Sequence, residues 1–253
     1  MSVTICQLMA LLDGIAPFDL QEEWDNAGLL AGRPDAPVDT VLCALDLTGS
    51  VIGEAVRVGA QVIVTHHPIL FRGRKNLRED DAEGRMLCAL VRAGLSLIAM
   101  HTNYDNADPG VNDALAACLG LSDPKALANG MRVGGLTPMT LSEFAAHCSA
   151  RLGGAVRTYG DGAKLIRRVA VLGGAGEDFA RQALSAGADA YVTGEMAYHK
   201  ALDAAAEGLC VLEAGHAATE RPGILALSAA LQNAADAVQY KIRIIDSEAG
   251  LYL

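Results

Sequence analysis

Residues 59–68 read GAQVIVTHHP. A glycine ends whatever precedes it, a short β-branched run follows, and the run stops on two histidines and a proline. Glycine takes the left-handed conformation that closes a helix, and a run such as Val62-Ile63-Val64 suits a strand buried on both faces. The stretch therefore reads as helix out, strand in, polar groups at the strand's carboxyl end. Residues 187–193, GADAYVT, repeat the pattern with Gly, Ala, Val and Thr at matching places, and Gly194-Glu195 replace the histidines. Working outward, further strands are expected in VLCALD (41–46), LSLIAM (95–100), IRRVAVLGG (166–174), LCVLEA (209–214) and VQYKIRIID (238–246). Helical spacing covers residues 4–15, 50–60, 81–93, 110–119, 141–152, 177–187, 196–207 and 218–233, with Thr48 as an N-cap. Strands alternating with helices predict an α/β fold with mainly parallel sheets. The internal echo suggests two related halves. The polar, poorly periodic stretch 121–135 is the expected boundary, giving an N-terminal αβ lobe at 1–125 and a C-terminal αβ lobe at 126–253.

Composition narrows the function classes. Thirty acidic against 20 basic residues leave a net charge of -10, which disfavours general nucleic-acid binding and anionic membrane surfaces. No uncharged apolar run approaches the ~18 residues of a membrane span. No lysine or arginine precedes Arg33, so the opening residues lack the basic region of a targeting peptide. The six cysteines are scattered without a CxxC pair and read as buried free thiols. The expected location is cytoplasmic.

The histidines carry the chemistry. Six occur in the chain, and four stand at strand ends: His66 and His67 after one strand, His101 with Asp105 after the next, and His216 with Glu220 after a strand of the second half. The last pair is spaced i, i+4, which places both side chains on one face of a helix. Imidazole nitrogen with carboxylate oxygen and no thiolate suits Zn, Fe, Mn, Co or Ni. If the strand continues through His66 and His67, their side chains diverge, and each would serve one of two metals about 3.5–4 Å apart. His147 reads as structural. His199, one turn beyond Glu195, is a candidate for contact with substrate or with a ligand.

Three other features have bland readings beside the functional ones. LGGAGED (172–178) has the glycine content of a phosphate-cradling turn, yet Glu177 and Asp178 oppose an anion there and favour helix capping. Arg72, Arg74 and Lys75 offer charge for a phosphate or form a solvated loop. Trp24, the single tryptophan, lines a site or anchors a loop.

WDNAGL, VTHHP, HTNYD, the LGGAGE turn, ADAYVTGE and GHAATE occur in this order along nearly the whole chain. With VTHHP and GHAATE together, the sequence resembles the Nif-three-like family, whose members are known as GTP cyclohydrolase I type 2 homologues, in its short form without an inserted domain. The resemblance implies two similar αβ lobes with a dinuclear metal site in the cleft between them, and a homohexamer built as a trimer of dimers. It places the metal ligands on His66, His67, Asp105, His216 and Glu220, with two divalent transition metals per subunit. The implied function is a metal-dependent hydrolase. Its most specific form is GTP cyclohydrolase-type ring opening of a nucleotide by metal-bound hydroxide, with His101 and Glu195 as proton-transfer candidates. A metal-binding regulatory or chaperone protein without turnover is the alternative.

Overall fold

Threonine caps set the first helix starts. In the computed structural model, which describes residues 3–249, Thr4 Oγ1 accepts from Gln7 N at 3.3 Å and Gln7 Oε1 accepts from Thr4 N at 2.9 Å. This reciprocal box opens α1 (Ile5–Ile15), after the two-residue strand β1 (Val3–Thr4), and Ile5, Leu8 and Leu12 form the helix's buried stripe. The chain continues through β2 (Gly28–Ala31), β3 (Pro37–Val38), β4 (Thr40–Ala44), α2 (Gly49–Val58), β5 (Val62–Thr65), α3 (Ala82–Arg92), β6 (Ser96–Ala99) and α4 (Thr102–Asp105). Next come α5 (Val111–Cys118), β7 (Ser122–Ala126), β8 (Arg132–Thr140), α6 (Leu141–Leu152), β9 (Arg157–Tyr159), β10 (Leu165–Ala175), α7 (Ala180–Ser185), β11 (Ala190–Glu195), α8 (Tyr198–Ala206) and β12 (Cys210–Glu213). Helix α9 (His216–Ala237) and strand β13 (Arg243–Asp246) close the described chain.

The fold is mixed α/β, and its contacts divide it into two compact units. One runs to Ala107 and takes in the chain from Ile224 onward; the other spans Asp108–Gly223. This differs from the boundary expected in 121–135, and the reason lies in pairing. β13 joins the first unit's sheet beside β4, and the supposed linker residues supply β7 and the start of β8 in the second. The five residues of β7 are all exposed and include Pro124, so they lack the apolar signature of a strand. Gly134 lets this edge come close: a Cβ there would lie 2.9 Å from Ser122 O.

The first unit's sheet has the order β13-β4-β5-β6-β2, with only β2 antiparallel to its neighbour. Every residue of β4, β5 and β6 is buried, which explains their unbroken hydrophobic runs. Burying a side chain such as Ile63 contributes about 1.5–3 kcal/mol. The second unit's sheet has the order β7-β8-β10-β11-β12-β9, parallel through β10-β11-β12 and antiparallel at both flanks. The sequence echo is structural. Gly59 (φ 71°) and Gly187 (φ 76°) each end a helix in the left-handed region and lead into the inner parallel strands β5 and β11.

Glu54 ties the returning chain to α2. Its carboxylate, in a side chain that is almost wholly buried, accepts from Ser247 Oγ at 2.6 Å and from the amides of Glu248 and Ala249 at 3.2 Å each. Burial pushes this carboxyl up, but those hydrogen bonds and Arg57 outweigh it and hold the group below its ordinary value. A lowered folded-state pKa means that the stabilisation is complete above the unfolded value and disappears as pH falls through the folded one. Glu54→Gln is therefore expected to cost about 1–2 kcal/mol at neutral pH, read by urea denaturation. The gap to the parent protein should narrow as pH falls below the ordinary glutamate value and through the lowered folded one; a gap independent of pH would contradict this reading.

Candidate metal centre

In the first unit, His66 and His67 follow β5, and His101 follows β6. Adjacent residues of a strand would face opposite ways, but β5 ends at Thr65. The amides of both His66 and His67 turn to the one carbonyl of Leu45, at 3.2 and 3.0 Å, and Thr65 Oγ1 donates to His67 O at 2.9 Å. The imidazoles therefore lie side by side, with centroids 5.0 Å apart and planes at 49°. The expected divergence is corrected by this turn. One ligand nitrogen from each of His66, His67 and His101 falls within 4.8 Å of the others.

Each ring is oriented by an oxygen at Nδ1. His66 Nδ1 donates to Met100 O at 2.7 Å, His67 Nδ1 to Asp46 Oδ1 at 2.8 Å, and His101 Nδ1 to Asp25 Oδ1 at 2.7 Å. With its proton committed at Nδ1, each neutral imidazole carries its lone pair on Nε2, the arrangement that metal-binding histidines adopt. Asp105, in the short helix α4, places Oδ1 3.6 Å from His66 Nε2. This set of nitrogen donors beside a carboxylate fits a divalent transition metal.

Asp25, next to Trp24, is the residue that orients His101. Its carboxylate is fully buried and also accepts from Thr102 N at 3.0 Å and from Thr102 Oγ1. Burial alone would raise its pKa, and the bonds from His101 and Thr102 reverse that and hold it well below the usual carboxylate range. Asp25 and Asp46, which orient two of these rings, were not singled out by sequence spacing.

The second unit brings His216 and Glu220 together on the first turns of α9. His216 Nε2 lies 3.2 Å from Glu220 Oε1, as the i, i+4 spacing required. Its Nδ1 lies 3.6 Å from Glu195 Oε2, which projects exposed from the end of β11. The glycine turn of β10 makes room for this pair. A Cβ on Gly174 (φ 67°) would stand 2.3 Å from Glu220 Oε1 and 3.1 Å from His216 Nε2, and one on Gly173 would stand 3.2 Å from Glu220 Cγ. The turn's amides are engaged by side chains rather than aimed at an anion: Gly173 N donates to Asn112 Oδ1 and Gly174 N to Thr219 Oγ1. Glu177 and Asp178 do not cap their own helix either. Both pair with Lys200, and Glu177 accepts from Ala197 N where α8 begins.

An open pocket of about 490 Å³ borders Glu195 in this unit, lined also by Arg157, Met196 and Glu213. A second one, about 280 Å³, lies between α7 and α8 with no ligand-type cluster, and its Lys200 is already engaged. The His199 side chain is exposed and makes no hydrogen bond or ion pair among the described residues. His147 is structural, bonded to Leu119 O at 3.0 Å and stacked on Phe144. Arg74 is spent on Asp81 and Glu83.

A family model described as Duf34/NIF3 (NGG1p interacting factor 3) matches residues 3–250. A Streptomyces coelicolor protein named GTP cyclohydrolase 1 type 2 homolog is 35% identical, over 95% of this chain and 90% of that protein. A Clostridium acetobutylicum protein of the same name is 32% identical, over 92% and 91%. Among solved structures, a hypothetical protein of Staphylococcus aureus superposes with a TM-score of 0.95 at 30% identity, covering 100% of this chain and 98% of that one. A Bacillus cereus protein related to NIF3 gives 0.93 at 26% identity, covering 98% and 97%.

Proposed function

This chain belongs to the Duf34/NIF3 family, and from that premise we propose that it is a dinuclear metal-dependent hydrolase acting on a nucleotide or related heterocycle. The observation that carries the reading is the trio of imidazoles His66, His67 and His101, each with Nδ1 tied to an oxygen and a ligand nitrogen converging on the others. In this reading His66, His67, Asp105, His216 and Glu220 hold two divalent metals. Such metals supply Lewis-acid polarisation and activation of water at neutral pH.

The chain's own residues do the rest. Asp25 keeps the His101 proton on Nδ1 and thereby leaves Nε2 basic, so His101 can take a proton from the attacking water and return one to the leaving nitrogen. Glu195, exposed beside His216, offers a second proton acceptor at the mouth of the adjoining pocket. The name shared by the curated relatives directs the choice of first substrate to GTP. A homohexamer and a cytoplasmic setting belong to the same reading.

The test is GTP turnover by protein reconstituted separately with Zn, Mn, Fe, Co and Ni. Ring opening is expected with at least one of them, and His101→Asn should lower kcat by about 10²–10⁴-fold while metal content stays unchanged. Full metal loading with no turnover of GTP or other nucleotides would instead favour a metal-binding regulatory protein.

A further inference from the structure

Two aromatic rings stand in solvent at the rim of the imidazole trio. Trp24 is 59% exposed and Phe71 is 44% exposed, with centroids 5.7 Å apart and planes at 59°. Each also meets the His101 ring edge-on, at 6.3 Å. Large apolar side chains exposed singly need no explanation, but two in contact beside a candidate proton-transfer group do.

The loops that carry them are held firmly. Asp25, next to Trp24, is locked by His101 and Thr102. Asn26 Nδ2 donates to Leu70 O at 2.5 Å, which staples the Trp24 loop to the residue just before Phe71. Glu22 N donates to Thr102 Oγ1 at 2.9 Å and Ala27 N to Gln21 Oε1 at 3.0 Å, so the backbone on both sides of Trp24 is bonded. The rings are exposed on a fixed frame.

Charge indicates what would cover them. Arg74 and Arg78 in the following loop are committed to Asp81 and Glu83, and to Asp80. Arg72 and Lys75 are exposed and form no ion pair among the described residues. In a chain of net charge -10, flat apolar rings followed by uncommitted cations complement a planar heterocycle that carries phosphate.

We propose that Trp24 and Phe71 form an aromatic platform beside His101 that takes the purine-type ring of a phosphorylated substrate. The proposal rests on the hydrolase reading for the nucleotide character of the ligand. The platform sets which rings are accepted and holds them against His101, while Arg72 and Lys75 add attraction for the anionic tail.

Trp24 is the chain's single tryptophan, so its fluorescence reports the platform alone. The experiment titrates the full-length protein, of measured metal content, with guanosine 5′-monophosphate, guanosine and inorganic phosphate, exciting at the red edge of tryptophan absorption. Saturable quenching is expected from the nucleotide, weaker saturable quenching from the nucleoside, and none from phosphate. Phe71→Leu should weaken both purine affinities about tenfold without altering metal content. Absence of saturable purine quenching in metal-loaded protein overturns the platform and leaves the metal centre standing. Quenching in protein that cannot be loaded with metal keeps the platform and removes the hydrolase. Quenching unaffected by Phe71→Leu, or produced equally by phosphate, overturns the joint Trp24–Phe71 site. So does a Trp24 ring shielded from acrylamide until the assembly is diluted, because a second copy of the chain would then be the occupant.

Discussion

Gly174→Ala is expected to weaken metal binding without replacing a proposed ligand. The new methyl group would fall 2.3 Å from Glu220 Oε1 and 3.1 Å from His216 Nε2, so the pair must move, and Glu220 is buried with little room to do so. Alanine would also have to hold the left-handed conformation at φ 67°, a strain of roughly 1–2 kcal/mol. Disturbing groups that orient metal ligands lowers affinity about 10–100-fold, and a direct clash belongs at the upper end. Competition with a chelator, read as apparent metal affinity, measures the effect. A circular dichroism spectrum like the parent's would show that the chain still folds. Unchanged affinity in a folded variant would mean that His216 and Glu220 are not metal ligands, whatever their spacing.

The largest expected effect on stability is at Arg132. Its guanidinium is almost wholly buried and pairs in bidentate fashion with Asp113, at 2.7 Å to each oxygen, while also donating to Gly130 O at 2.9 Å. Asp113 in turn accepts from Gly110 N at 2.7 Å, so one ion pair joins the start of α5 to the start of β8. Arg132→Met removes the cation and leaves the carboxylate and the carbonyl poorly satisfied. Breaking a buried pair from one side costs about 3–5 kcal/mol, and partial exposure of Asp113 places this case near 3. Urea denaturation of the two proteins reads the difference directly. Adding Asp113→Leu should recover part of the loss, because the uncompensated charge is then gone. A loss under 1 kcal/mol would show that water satisfies Asp113 and that the pair does not organise this corner.

The parallel strands and the threonine-capped helices were legible because their signals are local. Thr48, and the glycines at 59 and 187, act on their own neighbours. Of the flanking strands, β13 falls inside the expected 238–246, and others were not legible. β7 is exposed along its whole length and β9 has only three residues, so neither carries a hydrophobic pattern, while the apolar β2 is brief and set between polar, glycine-containing stretches. At the site, His216 and Glu220 were legible because helical geometry alone brings them together. Asp25 and Asp46 were not: they meet their histidines across 76 and 21 residues, and no periodicity links such partners. The divergence expected of His66 and His67 failed for a related reason, since the strand's end is set by the carbonyl of Leu45, just past the end of β4.

In this reading the strand-end histidines and carboxylates bind metal. Elemental analysis of the purified protein, per chain, beside His66→Ala and Glu220→Ala variants, tests it most directly. About two equivalents of transition metal are expected in the parent protein, with a clear reduction in both variants. A parent protein that holds none, even after reconstitution with Zn, Mn, Fe or Ni, would contradict it.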